Sequence, residues 1–160
     1  MRQEIINVLE KNARTEMKEL SVLLDTPEDD IRAEVQAMED EGIICGYHTI
    51  INRDALGDDK VSALIEVRVT PQRGMGFDSI AERIYKFPEV DSVYLMSGAY
   101  DLMVICSFRT MQEVGQFVSM KLSTLESVLS TATHFIMKRY KDHGSVLAKR
   151  YEDTRELITP

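Results

Sequence analysis

Residues 26–42 read TPEDDIRAEVQAMEDEG, from Thr26 to Gly42, and this stretch decides how the first third of the chain is understood. Thr26 is a helix-capping residue type, Pro27 suits a first helical position, and Ile31, Val35 and Met38 fall on one face at helical spacing. Gly42 is placed to end the helix as a left-handed cap. The rest of the stretch is acidic: Glu28, Asp29, Asp30, Glu34, Glu39, Asp40 and Glu41 stand against a single Arg32.

Upstream, Ile5, Ile6, Val8 and Leu9 predict a short amphipathic helix within Arg2 to Asn12. Met17, Leu20, Leu23 and Leu24 predict a second one after Thr15, and Asp25-Thr26-Pro27 forms the turn into the third. Downstream, β-branched residues flank Gly46 between Gly42 and Asn52, the pattern of a strand pair or wing. Residues 1–52 therefore read as a winged helix-turn-helix, a DNA-binding-like domain. Residues 53–59, with Gly57 and Asp58-Asp59, read as a linker.

Beyond the linker the apolar period changes to two. Val61, Ala63, Ile65, Val67 and Val69 alternate with Ser62, Leu64, Glu66 and Arg68, which predicts a strand with one face to a core. Pro71 to Gly76 is a turn. Phe77, Ile80, Ala81 and Ile84 mark a helix that stops at Phe87-Pro88, Val90 to Met96 and Tyr100 to Phe108 form a hairpin, Met111 to Leu122 a second helix, and Val128 to Tyr140 the last strand. The order β-α-β-β-α-β over residues 60–141 is that of a ferredoxin-like sandwich, so the chain is α+β with both helices on one side of an antiparallel sheet. The other side, with Leu64, Tyr94, Met96 and Met103, is expected to pair with a second copy. Residues 142–160 form a C-terminal extension, in which Val146, Leu147, Tyr151, Leu157 and Ile158 suggest a helix crossing a dimer.

Charge divides along the same boundary. Residues 1–60 carry 7 basic and 15 acidic side chains, whereas residues 61–160 carry 12 of each, so the whole net charge of -8 sits in the first module. No apolar run approaches the roughly 20 residues that span a membrane, and Met1-Arg2-Gln3-Glu4 begins no signal peptide, so a cytoplasmic protein with no membrane partner is expected. Cys45 and Cys106 are far apart and without nearby histidines; both are read as buried or half-buried thiols, with neither disulfide nor metal. His48, His134 and His143 are widely spaced, with His48 on the wing and His134 at a half-buried sheet position. No phosphate loop, nucleophile elbow or metal-spaced cluster occurs, so no enzyme, catalytic residue or cofactor is expected. Lys138, Arg139, Tyr140 and Lys141 form a small basic strand end.

Two motifs in fixed order, Glu39-Asp40-Glu41-Gly42-Ile43-Ile44-Cys45-Gly46-Tyr47 and Gly98-Ala99-Tyr100-Asp101, followed by a last strand over Leu125 to Thr133, resemble the Lrp/AsnC (feast/famine) family of transcriptional regulators. The resemblance covers roughly Arg2 to Lys141 and implies that the second module is of the RAM type. It also implies a homodimer assembling to a tetramer or octamer, with a small effector, usually an amino acid, bound at the glycine-aspartate turn. The residues suit such a ligand. Gly98 permits close approach, Asp101 can receive an ammonium, Tyr100 supplies a flat wall, and the amides around Ala99 can hold a carboxylate, with Thr131 and Thr133 as further hydroxyls. The competing reading is that Gly98 only permits the hairpin and Asp101 satisfies local amides.

The departure from the family lies in the reading head, whose turn has Asp25-Thr26-Pro27 in place of the usual glycine, apolar residue and serine. Asp tolerates a left-handed backbone, so the turn is expected to survive. On the outward arc, Gln36 can read adenine, Arg32 a guanine or phosphate and Asp29 a cytosine, with His48 and Arg53 near the wing as further DNA contacts. Phosphates nevertheless repel this helix. Two functions follow: an effector-responsive DNA-binding regulator, or an amino-acid sensor or protein-interaction module that has lost sequence-specific DNA binding.

Overall fold

The computed structural model describes residues 1–70 and 76–148. The chain divides into two compact units, Met1–Ile50 and Ile51–Pro160.

The first unit holds three helices, α1 (Arg2–Leu9), α2 (Met17–Leu23) and α3 (Glu28–Asp40). Their apolar stripes meet in one core of Ile5, Leu9, Leu20, Ile31, Val35 and Met38. Each such side chain contributes about 1.5–3 kcal/mol by leaving water. Arg2 fastens α1 to the far end of α3: its guanidinium donates to both Glu41 oxygens, at 2.6 and 2.9 Å, and to Glu34. That contact holds the Glu41 carboxyl below its usual range.

The helix ends refine the expectations. Asp25 does take the left-handed backbone, with φ 47°, and the Thr26 amide closes back on the Ser21 carbonyl at 3.1 Å. Thr26 is not the cap of α3. Pro27 is, and the Thr26 hydroxyl turns back to donate to the Leu24 carbonyl at 3.0 Å, which leaves no side-chain cap on α3. Gly42 ends α3 as expected. With φ 71° it lets its own amide reach the Glu39 carbonyl and the Ile43 amide reach Met38, at 3.0 and 2.8 Å, a full Schellman closure.

The expected wing does not form as a ladder. No strand is present from Gly42 to Asn52, and Ile43, Tyr47, Ile50 and Ile51 are exposed. β-branched residues form a strand only where a neighbour pairs with them and covers one face, and among the described residues none does. For the same reason Cys45, expected to be buried or half-buried, is exposed, while Cys106 is buried.

The second unit begins with one helical turn, α4 (Arg53–Leu56), inside the stretch read as linker. It continues with β1 (Val61–Val69), α5 (Asp78–Tyr85), β2 (Val90–Leu95), β3 (Leu102–Phe108), α6 (Met111–Phe117) and β4 (Val128–Phe135). The strands form one antiparallel sheet in the order β2-β3-β1-β4. One face of β1 and β3 (Ala63, Ile65, Val67, Leu102, Val104, Cys106) packs on Ile80 and Ile84 of α5 and on Val114 and Phe117 of α6. After Phe117 the helix widens, the Ser123 amide reaching five residues back to Val118 at 2.8 Å, and Leu122 enters the core.

The opposite face carries Leu64 and Met103, both half-buried, and an exposed Tyr94 that stands directly across from Met103. His134 lies on this face too and is more exposed than expected: it pairs with Leu64 and its Nε2 stands 3.2 Å from Glu66. The last strand ends at Phe135, five residues short of the expected Tyr140. Past it, β5 (Lys141–Asp142) and β6 (Ser145–Val146) pair through a two-residue turn in which His143 and Gly144 both have positive φ. The extension is thus a hairpin, not a helix, as far as Ala148; the turn expected over Pro71 to Gly76 and the contribution of Tyr151, Leu157 and Ile158 lie almost wholly outside the described residues.

Candidate DNA-reading face and effector loop

Asp29, Arg32 and Gln36 share the exposed face of α3, opposite Ile31, Val35 and Met38. Both candidate reading side chains are already occupied. Arg32 donates to Glu28 at 2.7 Å and Gln36 donates to Asp40 at 3.0 Å, each across one helical turn. Glu39 is engaged as well, accepting from the Tyr47 hydroxyl at 2.8 Å, and burial together with that carboxylate pushes the Tyr47 phenol up. The i,i+4 spacing of Glu28 with Arg32 and of Gln36 with Asp40 is visible in the sequence and signals both contacts. Carboxylates at the first turn of α3 favour the helix dipole, so the acidity stabilises the helix that it screens from an anion.

His48 lies in the extended segment after α3, in the same unit and exposed. Arg53 belongs to the second unit, where it is bound to Asp58 at 2.5 Å.

The β2–β3 connection runs from Met96 to Asp101, longer than the tight Ser97-Gly98-Ala99 turn expected, and closes with the Met96 amide on the Asp101 carbonyl at 2.8 Å. Gly98 has φ 153°, a region that is essentially closed to other residues, and no described atom stands within 4 Å of where a Cβ would be. The position is open as well as glycine-dependent. Ala99 is exposed, and Tyr100 is half-buried with its hydroxyl 3.9 Å from the Met103 sulfur.

Asp101 does structural work. Its Oδ2 accepts from the Val69 amide at 2.9 Å, and its own amide donates to Val67 at 3.1 Å, so it bridges to β1 where the β1–β4 register slips between Arg68 and Val69. The local-amide reading of Asp101 therefore holds for one carboxylate oxygen. The other accepts no hydrogen bond from a described residue. Sequence reasoning missed the Val69 contact because a bulge leaves a lone amide that no residue pattern marks.

Thr131 and Thr133 are half-buried on β4 and pair with Val67 and Ile65, so they point to the helix-covered face of the sheet. Leu102, Val67 and Thr131 form one row across three strands. Two strand spacings, about 10 Å, separate Thr131 from the start of β3, and Thr133 lies further along. The sheet brings Thr131 to the end of the molecule that holds the loop, and Thr133 less so.

Among the described residues no group of three or more His, Cys, Asp or Glu side chains could hold a metal, and no helix is long and apolar enough to cross a membrane.

Comparison with known proteins agrees with this architecture. A model of the Lrp/AsnC ligand binding domain matches residues 62–146. The chain is 44% identical over 158 residues to an uncharacterized HTH-type transcriptional regulator of Bacillus subtilis, YugG, covering 98% of this chain and 95% of that one. It is 26% identical over 140 residues to the HTH-type transcriptional regulator FL11 of Pyrococcus furiosus, covering 88% and 89%. In fold it is similar to the transcriptional regulator NMB0573 of Neisseria meningitidis, solved as a complex with L-Met, with TM-score 0.68, 23% identity and 88% and 90% of the two chains covered. These relatives are named as regulators of transcription and not as enzymes. The chain belongs to the Lrp/AsnC family of transcriptional regulators.

Proposed function

We propose that this regulator works in the cytoplasm as a DNA-binding oligomer whose affinity or spacing on DNA responds to a small effector, an amino acid, held at the Gly98–Asp101 loop. The observation that carries the reading is the loop itself: a glycine conformation with open space above it, beside a carboxylate with one oxygen fixed on Val69 and the other without a described donor. A zwitterion satisfies both halves, its ammonium on Asp101 and its carboxylate on loop amides. The L-Met complex of the Neisseria meningitidis regulator supports an amino acid as the ligand class. The α1–α3 unit acts as the helix-turn-helix, with α3 as reading helix, Gln36 and Asp29 facing the bases and Arg32 a guanine or a phosphate. Leu64, Tyr94 and Met103 on the sheet face opposite the helices are suited to pairing two copies, and pairs of such dimers to a tetramer or octamer.

The test separates the two roles of Asp101. Asp101→Asn keeps an acceptor for the Val69 amide but loses the charge, so its melting temperature stays near that of the parent while the thermal shift produced by amino acids disappears. Asp101→Ala loses both. An amino-acid shift that persists in Asp101→Asn refutes the site.

A second reading, a sensor that no longer binds specific DNA, is favoured by the carboxylates that occupy Arg32 and Gln36. Absence of binding to the protein's own upstream region at low salt, with the amino-acid response intact, selects it.

A further inference from the structure

The second unit contains a cavity of about 100 Å³, separate in its lining from the Gly98–Asp101 loop. Its walls come from three separate pieces of chain: the α4 segment, the start of β1, and the strand exit at Ile136 to Arg139, with Leu147 of the C-terminal hairpin beside them. The Asn52 side chain donates to the Leu147 carbonyl at 2.8 Å and so ties the hairpin to the α4 segment.

The lining is polar and unevenly charged. Arg53, Lys60, Lys138 and Arg139 face Asp54 and Asp58, four cations against two carboxylates. Asp58 is taken by Arg53 at 2.5 Å. Arg139 is oriented from behind: it donates to the hydroxyl of Ser62 at 2.9 Å, and Ser62 is only 7% exposed. A second guanidinium nitrogen stands 3.8 Å from Asp142, too far for a strong hydrogen bond, so Arg139 keeps donors to spare. Lys60 makes no ion pair among the described residues. A preset guanidinium, an ammonium with no ion pair among the described residues and an excess of positive charge around this space describe an oxyanion site.

We propose that this cavity is a second ligand site of the chain, which takes a small oxyanion, a phosphate or a carboxylate, between Lys60 and Arg139. It stands apart from the Gly98–Asp101 loop in composition, having no glycine-dependent backbone and a positive lining where the loop offers a carboxylate.

The test is calorimetric titration of the full chain with inorganic phosphate and, separately, acetate, at constant ionic strength. Saturable binding of either anion, one per chain, is expected, and the tighter of the two names the source of the oxyanion. Lys60→Gln touches no described ion pair and leaves the fold intact; it and Arg139→Gln should each weaken binding about tenfold, since each removes one close charge. Asp101→Asn should leave the titration unchanged, whether or not it abolishes the response to amino acids. Heat that never saturates for either anion, binding that Lys60→Gln does not weaken, or binding lost in Asp101→Asn overturns the proposal.

Discussion

Replacing Glu28 by Gln should make this protein bind DNA more tightly, and by a predictable amount. In the structure Glu28 accepts from Arg32 at 2.7 Å on the exposed face of α3, the two side chains being 43% and 62% exposed. An exposed i,i+4 pair of this kind contributes only about 0.3–0.5 kcal/mol to the helix. Loss of a carboxylate at the first helical position costs about another 0.3–1 kcal/mol in dipole stabilisation. The unit, held by six buried apolar side chains, tolerates that loss.

On the DNA side the change acts twice. Arg32 is released to meet a phosphate, worth about 1 kcal/mol at 4 Å in water, and the repulsion of a carboxylate some 8 Å from the same phosphate, about 0.5 kcal/mol, is removed. Together these give about 1.5 kcal/mol for each reading head, or roughly tenfold in affinity. Fluorescence anisotropy with a labelled duplex from the protein's own upstream region, at four salt concentrations, reads both affinity and mechanism. One added phosphate contact steepens the slope of log K against log salt by about 0.9. Glu19→Gln, an exposed acid on α2, is the control for net charge. An unchanged slope in a folded Glu28→Gln protein, or an equal gain in Glu19→Gln, would falsify the idea that the Glu28–Arg32 contact limits the reading helix.

Three further outcomes rest on single contacts. Gly42→Ala should lower the stability of the first unit by about 1–2 kcal/mol, because the backbone at φ 71° is left-handed while the space above it is empty, so the loss seen in urea melts is conformational and not steric. The Lys121 ammonium on Glu89, lying over the Phe87 and Phe117 rings, holds the Glu89 carboxyl below its ordinary value of 4.5; the pair therefore stabilises the fold above that pH and is lost as pH falls through the depressed value. The melting temperature of Glu89→Gln should fall a few degrees below the parent at pH 7, about 1 kcal/mol, and the gap should close on acidification toward pH 3. Burial, with Asp91 and Glu89 nearby, pushes the Cys106 thiol up to about 12, whereas Cys45 is exposed; a thiol reagent at pH 8 should therefore titrate one cysteine in the native protein and two after unfolding, and Cys45→Ser should abolish the native reaction.

Where the sequence was legible, one residue pattern decided one interaction. The α3 stripe and the alternation of β1 each name a buried face, and Ile31, Val35, Met38, Ala63, Ile65 and Val67 are all in the cores. Gly42 and Asp25 were legible because a left-handed backbone admits few residue types. The wing was not, since Ile43, Ile50 and Ile51 have the composition of a strand, but pairing depends on a neighbour that lies outside the segment. Thr26 failed for a different reason: its hydroxyl had two acceptable uses, capping α3 or closing the turn on Leu24, and only the turn geometry chose between them. At the candidate effector loop the glycine and aspartate were visible, whereas the Val69 amide that occupies half of Asp101 comes from a register slip that carries no sequence mark.

The acidity of α3 limits what a single reading head can do and so bears on how the regulator has to work. Seven carboxylates lie between Glu28 and Glu41, yet the structure accounts for most of them locally: Glu28 and Asp40 engage Arg32 and Gln36, Glu39 takes the Tyr47 hydroxyl, and Glu34 and Glu41 receive Arg2. Asp29 and Asp30 make no described side-chain contact and stand at the positive end of the helix dipole. The acid thus serves to hold the unit together, at the expense of its attraction for phosphate. In the proposed oligomer, a head that gains little from the DNA backbone would depend on base contacts and on its tether to others, because a second head on the same assembly binds at the effective concentration set by its tether. Under that arrangement affinity is steep in assembly state, and a ligand that alters how copies associate controls DNA occupancy without touching α3. A monomeric variant, made by introducing a charge at the exposed Tyr94 on the sheet face opposite the helices, should then lose specific binding altogether while keeping its folded α1–α3 unit; specific binding by such a monomer at near-parent affinity refutes the dependence on assembly.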